Sequence, residues 1–226
     1  MNPLLDVSNR QLILFDLDGT LVDSARDLYR AMNLTLADLG RPAITEQQIR
    51  TWIGKGASQL CSCVIQYQDQ HLDPERQQKL LQHFLLVYQQ NLCVETVIYE
   101  GVLEFLDYCH KQNKTLVCVT NKPYQAAVEL LKQLDLLEYF ALVLGGDSLT
   151  HRKPHPEPLL HAMQYFSQNL PHTLMIGDSR NDVEAARAAQ MDCIVLRYGY
   201  NHGEDINRCQ PQVLIDSLLE LIPTSN

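Results

Sequence analysis

Short apolar runs alternate with helical patterns along most of this chain, and that alternation restricts the fold more than any other feature. The runs are LILFD (Leu12–Asp16), Thr115–Thr120, Ala141–Leu144, Thr173–Gly177 and Cys193–Arg197. Each has the length of a strand buried on both faces. Helical spacing of apolar residues marks Glu100–Lys111, Tyr124–Leu134, Glu157–Gln168 and Asn181–Gln190. Strands alternating with helices predict an α/β fold, a Rossmann-like parallel sheet covered on both faces. The alternation breaks once. Between Asp23 and about Val94 helix follows helix with no strand, which predicts an inserted all-helical unit.

Local signals punctuate that insert. Ser24 is an N-cap candidate ahead of Leu28, Met32, Leu36 and Leu39, and Gly40 can end that helix. Thr45 with Gln48 has the spacing of a capping box. Asp73-Pro74 reads as an N-cap followed by proline at the first helical position. At the other end of the chain, the region Ile206–Leu221 is expected to form a short strand and a helix.

The formal net charge of -9 disfavours a nucleic-acid partner, which needs a basic surface. No apolar run is long enough for a membrane span, and the N-terminus lacks the pattern of a signal peptide. The seven cysteines are odd in number and include no CxxC, so reduced thiols and a cytoplasmic location are expected. Neither a monomer nor a homodimer is singled out.

Four polar strings sit where strands should end. In Asp16-Leu17-Asp18-Gly19-Thr20 two carboxylates two residues apart leave the strand on the same side. The carboxyl ends of parallel strands are where such sheets bind ligands. Asp-Gly-Thr is also good turn chemistry in its own right. In Thr120-Asn121-Lys122-Pro123 a hydroxyl and adjacent N–H groups can cradle phosphate oxygens, as an ordinary strand-to-helix turn would also present them. Lys153, stiffened by Pro154, Pro156 and Pro158, is either a phosphate-neutralising cation or a solvated lysine. Asp178 and Asp182, four apart in GDSRND, suit an oxygen-rich Mg2+ site or the dipole of a helix start. No HExxH, GxSxG or GxxxxGK[ST] string occurs, which disfavours zinc, serine-hydrolase and phosphate-loop chemistry.

In this order and on these elements the four strings resemble the haloacid dehalogenase superfamily, over nearly the whole chain. FDLDGTLVDS, TNKP, KPHPEPLL, GDSRND and YGYNHGE resemble its bacterial phosphoglycolate phosphatase family, whose helical cap follows the first motif. The resemblance implies a core of residues 1–22 and 96–226 and a cap of residues 23–95. It implies Asp16 as nucleophile and Asp18 as general acid and base. Mg2+ would be held by Asp16, the Asp18 carbonyl and Asp178, with Asp182 in support, and phosphate by Thr120, the Asn121 N–H and Lys153. The implied substrate is a small phosphomonoester, 2-phosphoglycolate, hydrolysed to glycolate and phosphate.

RTWIGKGA (Arg50–Ala57) resembles that family's cap, where the residue between the glycines is usually Asn and here is Lys55. Arg50, Trp52 and Lys55 are expected near the substrate; the alternative packs Trp52 inside the cap with both cations solvated. Another phosphomonoester, a phosphohexose mutase on the same core and a non-catalytic metabolite-binding module remain as alternatives. The Asp16–Asp18 pair weighs against the last, because a binding module needs no nucleophile.

Overall fold

A computed structural model describes residues 3–69 and 73–223. Its elements run β1 (Leu12–Phe15), β2 (Val22–Asp23), α1 (Ala25–Asp38), α2 (Glu46–Trp52), α3 (Ala57–Asp69), α4 (Pro74–Gln90) and β3 (Val97–Ile98). There follow α5 (Val102–Lys111), β4 (Thr115–Val119), α6 (Tyr124–Gln133), β5 (Leu142–Leu144) and α7 (Glu157–Tyr165). The chain continues through β6 (Thr173–Gly177), α8 (Arg180–Ala188), β7 (Asp192–Leu196) and β8 (Val213–Ile215).

Six strands form one parallel sheet in the order β5-β4-β1-β6-β7-β8. β1 lies between β4 and β6, so the connections leave it in opposite directions. This is the switch point where parallel sheets open a crevice at their carboxyl ends. The strands are apolar on both faces. Leu12 and Leu14 pack with Val117 and Met175 beneath Leu159 and Ala162 of α7 and Val183, Ala185 and Ala186 of α8. Ile13 and Phe15 face α5 and α6, and Phe15 meets Phe105 and Phe140 edge-on, each at 6.1 Å between ring centroids.

All the helical insert lies between β2 and β3, a two-residue antiparallel ribbon that periodicity does not register. α1 and α3 both pack on α4. Met32 and Leu36, Leu60, Val64 and Ile65, and Phe84 belong to the same apolar cluster as Leu17 and Leu21 of the core. Thr45 and Gln48 form the expected capping box, and Asp73 accepts from the Glu75 and Arg76 N–H groups.

Asp27 ties the two ends of the insert together. It is fully buried in α1 and accepts from the N–H groups of Val94, Glu95 and Thr96 and from the Thr96 hydroxyl at 2.6–3.1 Å. Asp27→Ala leaves these buried donors without their acceptor and is expected to cost about 2–4 kcal/mol. Urea unfolding checks this, and a loss within experimental error of zero would show that the clamp is redundant.

The C-terminal helix expected from sequence is a pair of 3-10 turns, Ile206–Cys209 and Leu218–Leu221, around β8. Pro223 biases Ile222 away from helical backbone, and one turn is too short to propagate. Among the described residues no helix is long and apolar enough to cross a membrane. All seven cysteines are free.

Candidate active site

The turn after β1 carries the first two carboxylates. The Asp16 N–H continues the ladder to the Ile176 carbonyl at 3.0 Å, so Asp16 is fixed as if it were one more strand residue. Its Oδ1 accepts from the Leu17 N–H at 2.7 Å. The chain then turns through Gly19 at φ +93, where a Cβ would stand 2.3 Å from Asp178 Oδ2. Gly199 crowds the same carboxylate from the far side: a Cβ there would lie 2.2 Å from Asp178 Cβ. Both positions need glycine because backbone closes in on Asp178 from two loops. Asp178 accepts from Thr20 Oγ1 at 2.7 Å and from the Tyr200 N–H at 2.6 Å.

Lys153 reaches this cluster from the proline-rich segment before α7. Its side chain is 1% exposed, and Nζ stands 2.9 Å from Asp16 Oδ1 and 2.7 Å from Asp182 Oδ1. Asp182 Oδ2 accepts from the N–H groups of Asp178 and Ser179 and from Ser179 Oγ. Asp182 therefore both satisfies the start of α8 and aims Lys153 at Asp16. The helix-start reading holds, and the same carboxylate also pairs with Lys153.

The electrostatics call for another cation. Asp16, Asp178 and Asp182 bring carboxylate oxygens within 4.8 Å of one another, all buried. Lys153 is the one ammonium among them. Burial opposes its charge, but Asp16 and Asp182 outweigh burial and hold its pKa above the usual lysine value. Burial pushes Asp16 up to about 7, with Lys153 pulling down and Asp182 pushing up. Burial, then Asp16 and Asp182, hold Asp178 well above the carboxylate range. Three carboxylates against one lysine, all-oxygen donors and no bulk water make a donor set that fits a hard divalent cation.

Asp18 has a separate neutralising partner. Lys122 Nζ donates to its two oxygens at 2.9 and 3.1 Å and to Tyr88 Oη of α4 at 2.6 Å. Ser24 Oγ donates to Asp18 at 2.5 Å instead of capping α1, which is why the predicted N-cap bond is missing. Burial works against the Lys122 charge, yet Asp18 and Tyr88 raise its pKa. Sequence reasoning passed over Lys122 and Tyr88. The available signal was arithmetic: two carboxylates at one strand end, largely shielded from water, need more than one cation.

Thr120 is buried after β4, and its hydroxyl accepts from the Lys122 N–H at 3.2 Å. The Asn121 amide donates to the Gly54 and Lys153 carbonyls, both at 2.9 Å, and so ties the insert to the core. Asp16, Asp18, Thr120, Asn121 and Lys122 open on a cavity of about 40 Å³, roofed by Ile53, Gly54, Gly56, Ala57, Leu60 and helix α4.

The three basic and aromatic residues expected near the substrate do not line this cavity, although Arg50 lines a neighbouring one that also reaches Asp178. Arg50 binds both oxygens of Asp23 at 3.2 and 3.0 Å and Glu46 at 2.9 Å. Tyr200 of the core donates to the same Asp23, so Arg50 latches α2 to the hinge. Trp52 packs on Tyr67, 5.7 Å between centroids, and Lys55 is exposed. None of the three lines the cavity. The RTWIGKGA segment meets the site through Ile53, Gly54, Gly56 and Ala57, with no charged or aromatic side chain among them.

Residues 13–196 match the family model of haloacid dehalogenase-like hydrolases. A phosphoglycolate phosphatase of Colwellia psychrerythraea is 42% identical over 224 residues, 96% of this chain and 98% of the relative. One of Nitrosococcus oceani is 41% identical, covering 93% of this chain and 94% of the relative. The crystal structure of a predicted phosphoglycolate phosphatase from Haemophilus somnus superposes with a TM-score of 0.90 at 33% identity, over 94% of this chain and 96% of that one.

Proposed function

The chain belongs to the haloacid dehalogenase-like hydrolases, and from that premise we propose that it is a phosphoglycolate phosphatase working through a phospho-aspartate. One observation carries the reading. The buried Asp16 and the partly buried Asp18 open together, at the switch point, on a small cavity roofed by the insert, with Lys122 beside them. The pair supplies a nucleophile and an acid for phosphoryl transfer, and phosphoglycolate phosphatases 41–42% identical over nearly the whole chain support the two-carbon ester as substrate.

Asp16 is the nucleophile. Its carboxylate forms a bond to phosphorus while the bond from phosphorus to the glycolate oxygen breaks, and Asp18 donates its proton to that oxygen. In the second half-reaction Asp18 takes a proton from water, the water oxygen attacks phosphorus, and the Asp16 carboxylate leaves. Lys153, the Thr120 hydroxyl and the Asn121 N–H hold the equatorial oxygens of the phosphoryl group. Asp16, the Asp18 carbonyl and Asp178 would hold Mg2+, with Asp182 supporting through Lys153. When bound, the ion supplies the charge that the phosphoryl group and the carboxylates lack. Ser24 and Lys122 orient the Asp18 carboxyl.

We divide the chain into a core of residues 1–22 and 96–226 and a cap of residues 23–95, hinged at β2 and β3, with Asp23 and Arg50 latching the closed state. Opening admits substrate and closure excludes water. The buried and half-buried free cysteines fit a reducing cytoplasm.

Phosphate release from a panel of small phosphomonoesters tests the substrate. 2-Phosphoglycolate is expected to lead in kcat/KM. A lead by a larger sugar phosphate would overturn the substrate assignment, and a phosphate moved within the substrate would indicate a mutase. Chelation by EDTA is expected to remove more than about 99% of the activity, and added Mg2+ to restore it. Full activity in chelator would exclude the metal reading. Chelation is also expected to lower the melting temperature, because three buried carboxylates then face one lysine.

A further inference from the structure

Every residue but one around the cavity is apolar, neutral or acidic. Leu28, Ile53, Ala57, Leu60, Phe84 and Leu85 supply the apolar part, Asp16 and Asp18 the negative charge, and Lys122 is the single basic side chain. A second anionic group on a substrate cannot enter such a space unpaired, because burying a carboxylate without a cation is prohibitively costly. Lys153 sits beneath the cavity beside Asp16 and Asp182, where it serves the phosphoryl group and not a second anionic group in the cavity above.

We propose that Lys122 is the receptor for the carboxylate of the substrate, so that one ammonium both orients the acid Asp18 and selects esters carrying a second negative charge close to the phosphate. The inference rests on the phosphoglycolate reading. Lys122 is 5% exposed and is fixed from two sides, by Asp18 of the core and by Tyr88 Oη of α4. Its three contacts, to both Asp18 oxygens and to Tyr88 Oη, match the three N–H donors of an ammonium, so a ligand carboxylate takes the donor now given to the more distant Asp18 oxygen. The Tyr88 ring also packs against Nζ, 4.8 Å from its centroid, which holds the charge in place in an apolar setting. Tyr88 comes from the insert, so the receptor is complete only when the insert is closed. Gly56 and Ala57, where α3 begins, line the same cavity and add the positive end of that helix.

Steady-state kinetics on two esters test the assignment. 2-Hydroxyethyl phosphate replaces the carboxylate of 2-phosphoglycolate by a neutral group of similar size. In K122M the preference for 2-phosphoglycolate over this ester, as a ratio of kcat/KM values, is expected to fall by about 10²-fold. The carboxylate contact exists in ground and transition states alike, so this fall appears mainly in KM. Loss of Asp18 orientation lowers kcat for both esters and cancels in the ratio. K122Q is measured beside K122M, with circular dichroism and melting curves reporting the fold of each.

A second measurement leaves Lys122 intact. In D16N protein labelled with 15N-lysine, 2-phosphoglycolate is expected to shift the Lys122 Nζ signal and 2-hydroxyethyl phosphate to leave it in place. If wild-type enzyme turns over both esters equally, the phosphoglycolate reading fails and this inference with it. If wild-type enzyme prefers the carboxylate but the folded variants slow both esters by one factor, or the Nζ signal does not move, that reading stands and Lys122 serves Asp18 alone.

Discussion

Replacing Asp16 with asparagine is expected to lower phosphate release from 2-phosphoglycolate by at least about 10⁴-fold, because the amide cannot form the phosphoryl intermediate. The fold should survive. In metal-free protein Asp16 sits among Asp178, Asp182 and Lys153, and burial pushes its pKa up to about 7. In the unfolded chain an aspartate gives up its proton near pH 4. Between those values the folded state binds more protons than the unfolded one. The stability tied to Asp16 is therefore full below about pH 4 and is lost as pH rises through about 7. Asparagine does not titrate, so D16N in chelator should show a shallower fall of stability over that window. At pH 8 it should be at least as stable as wild type. Phosphate assays and urea unfolding from pH 4 to 8 measure both halves. Residual turnover near the wild-type rate would remove Asp16 as the nucleophile. An unchanged slope would place the proton uptake elsewhere in the cluster.

Lys153→Met carries the second large effect. The side chain is nearly isosteric, but it leaves Asp16 and Asp182 without the ammonium that stands 2.9 and 2.7 Å from them. Breaking a buried ion pair by removing one partner typically costs about 3–5 kcal/mol, since a buried charge is left uncompensated. That loss should be largest in chelator at neutral pH and should shrink on acidification, as the carboxylates take up protons instead. Activity is expected to fall by about 10³-fold through kcat, since Lys153 is placed to neutralise the phosphoryl group in transit. Mg2+ should recover part of the stability and little of the rate. An added cation offsets the negative charge but does not restore an N–H donor at Nζ. Denaturation with and without Mg2+, set beside kcat, separates the two. Complete recovery of rate by Mg2+ would reduce Lys153 to a structural charge.

The Asp182 result shows why both substitutions act on one network. Its Oδ1 holds Lys153 and its Oδ2 holds the N–H groups of Asp178 and Ser179 just before α8. A change at Lys153 is therefore felt at the helix start that also presents Asp178. Coupling of this kind predicts that effects of paired substitutions within the cluster will not add.

The strands of the parallel sheet, their burial on both faces, the helical insert and the polar strings at the strand ends were legible in the sequence, because each depends on spacing within a few residues; the short β2–β3 ribbon was not. Leu12–Phe15 is apolar throughout because its strand is covered on both sides, and Thr45 with Gln48 caps a helix wherever that helix lies. Local chemistry also placed Asp16 and Asp18 together and spaced Asp178 from Asp182. Tertiary structure alone decided which distant charges would meet. Periodicity cannot say that Lys122 would face Asp18 across 104 positions, or that Tyr88 would close on that lysine from the insert. Nor can it say that Arg50 would be drawn to Asp23 while Trp52 and Lys55 stayed outside the cavity. Those outcomes follow from the packing of the insert on the core. Packing sets which charges are desolvated together, and a buried charge must take whichever partner the fold brings within reach.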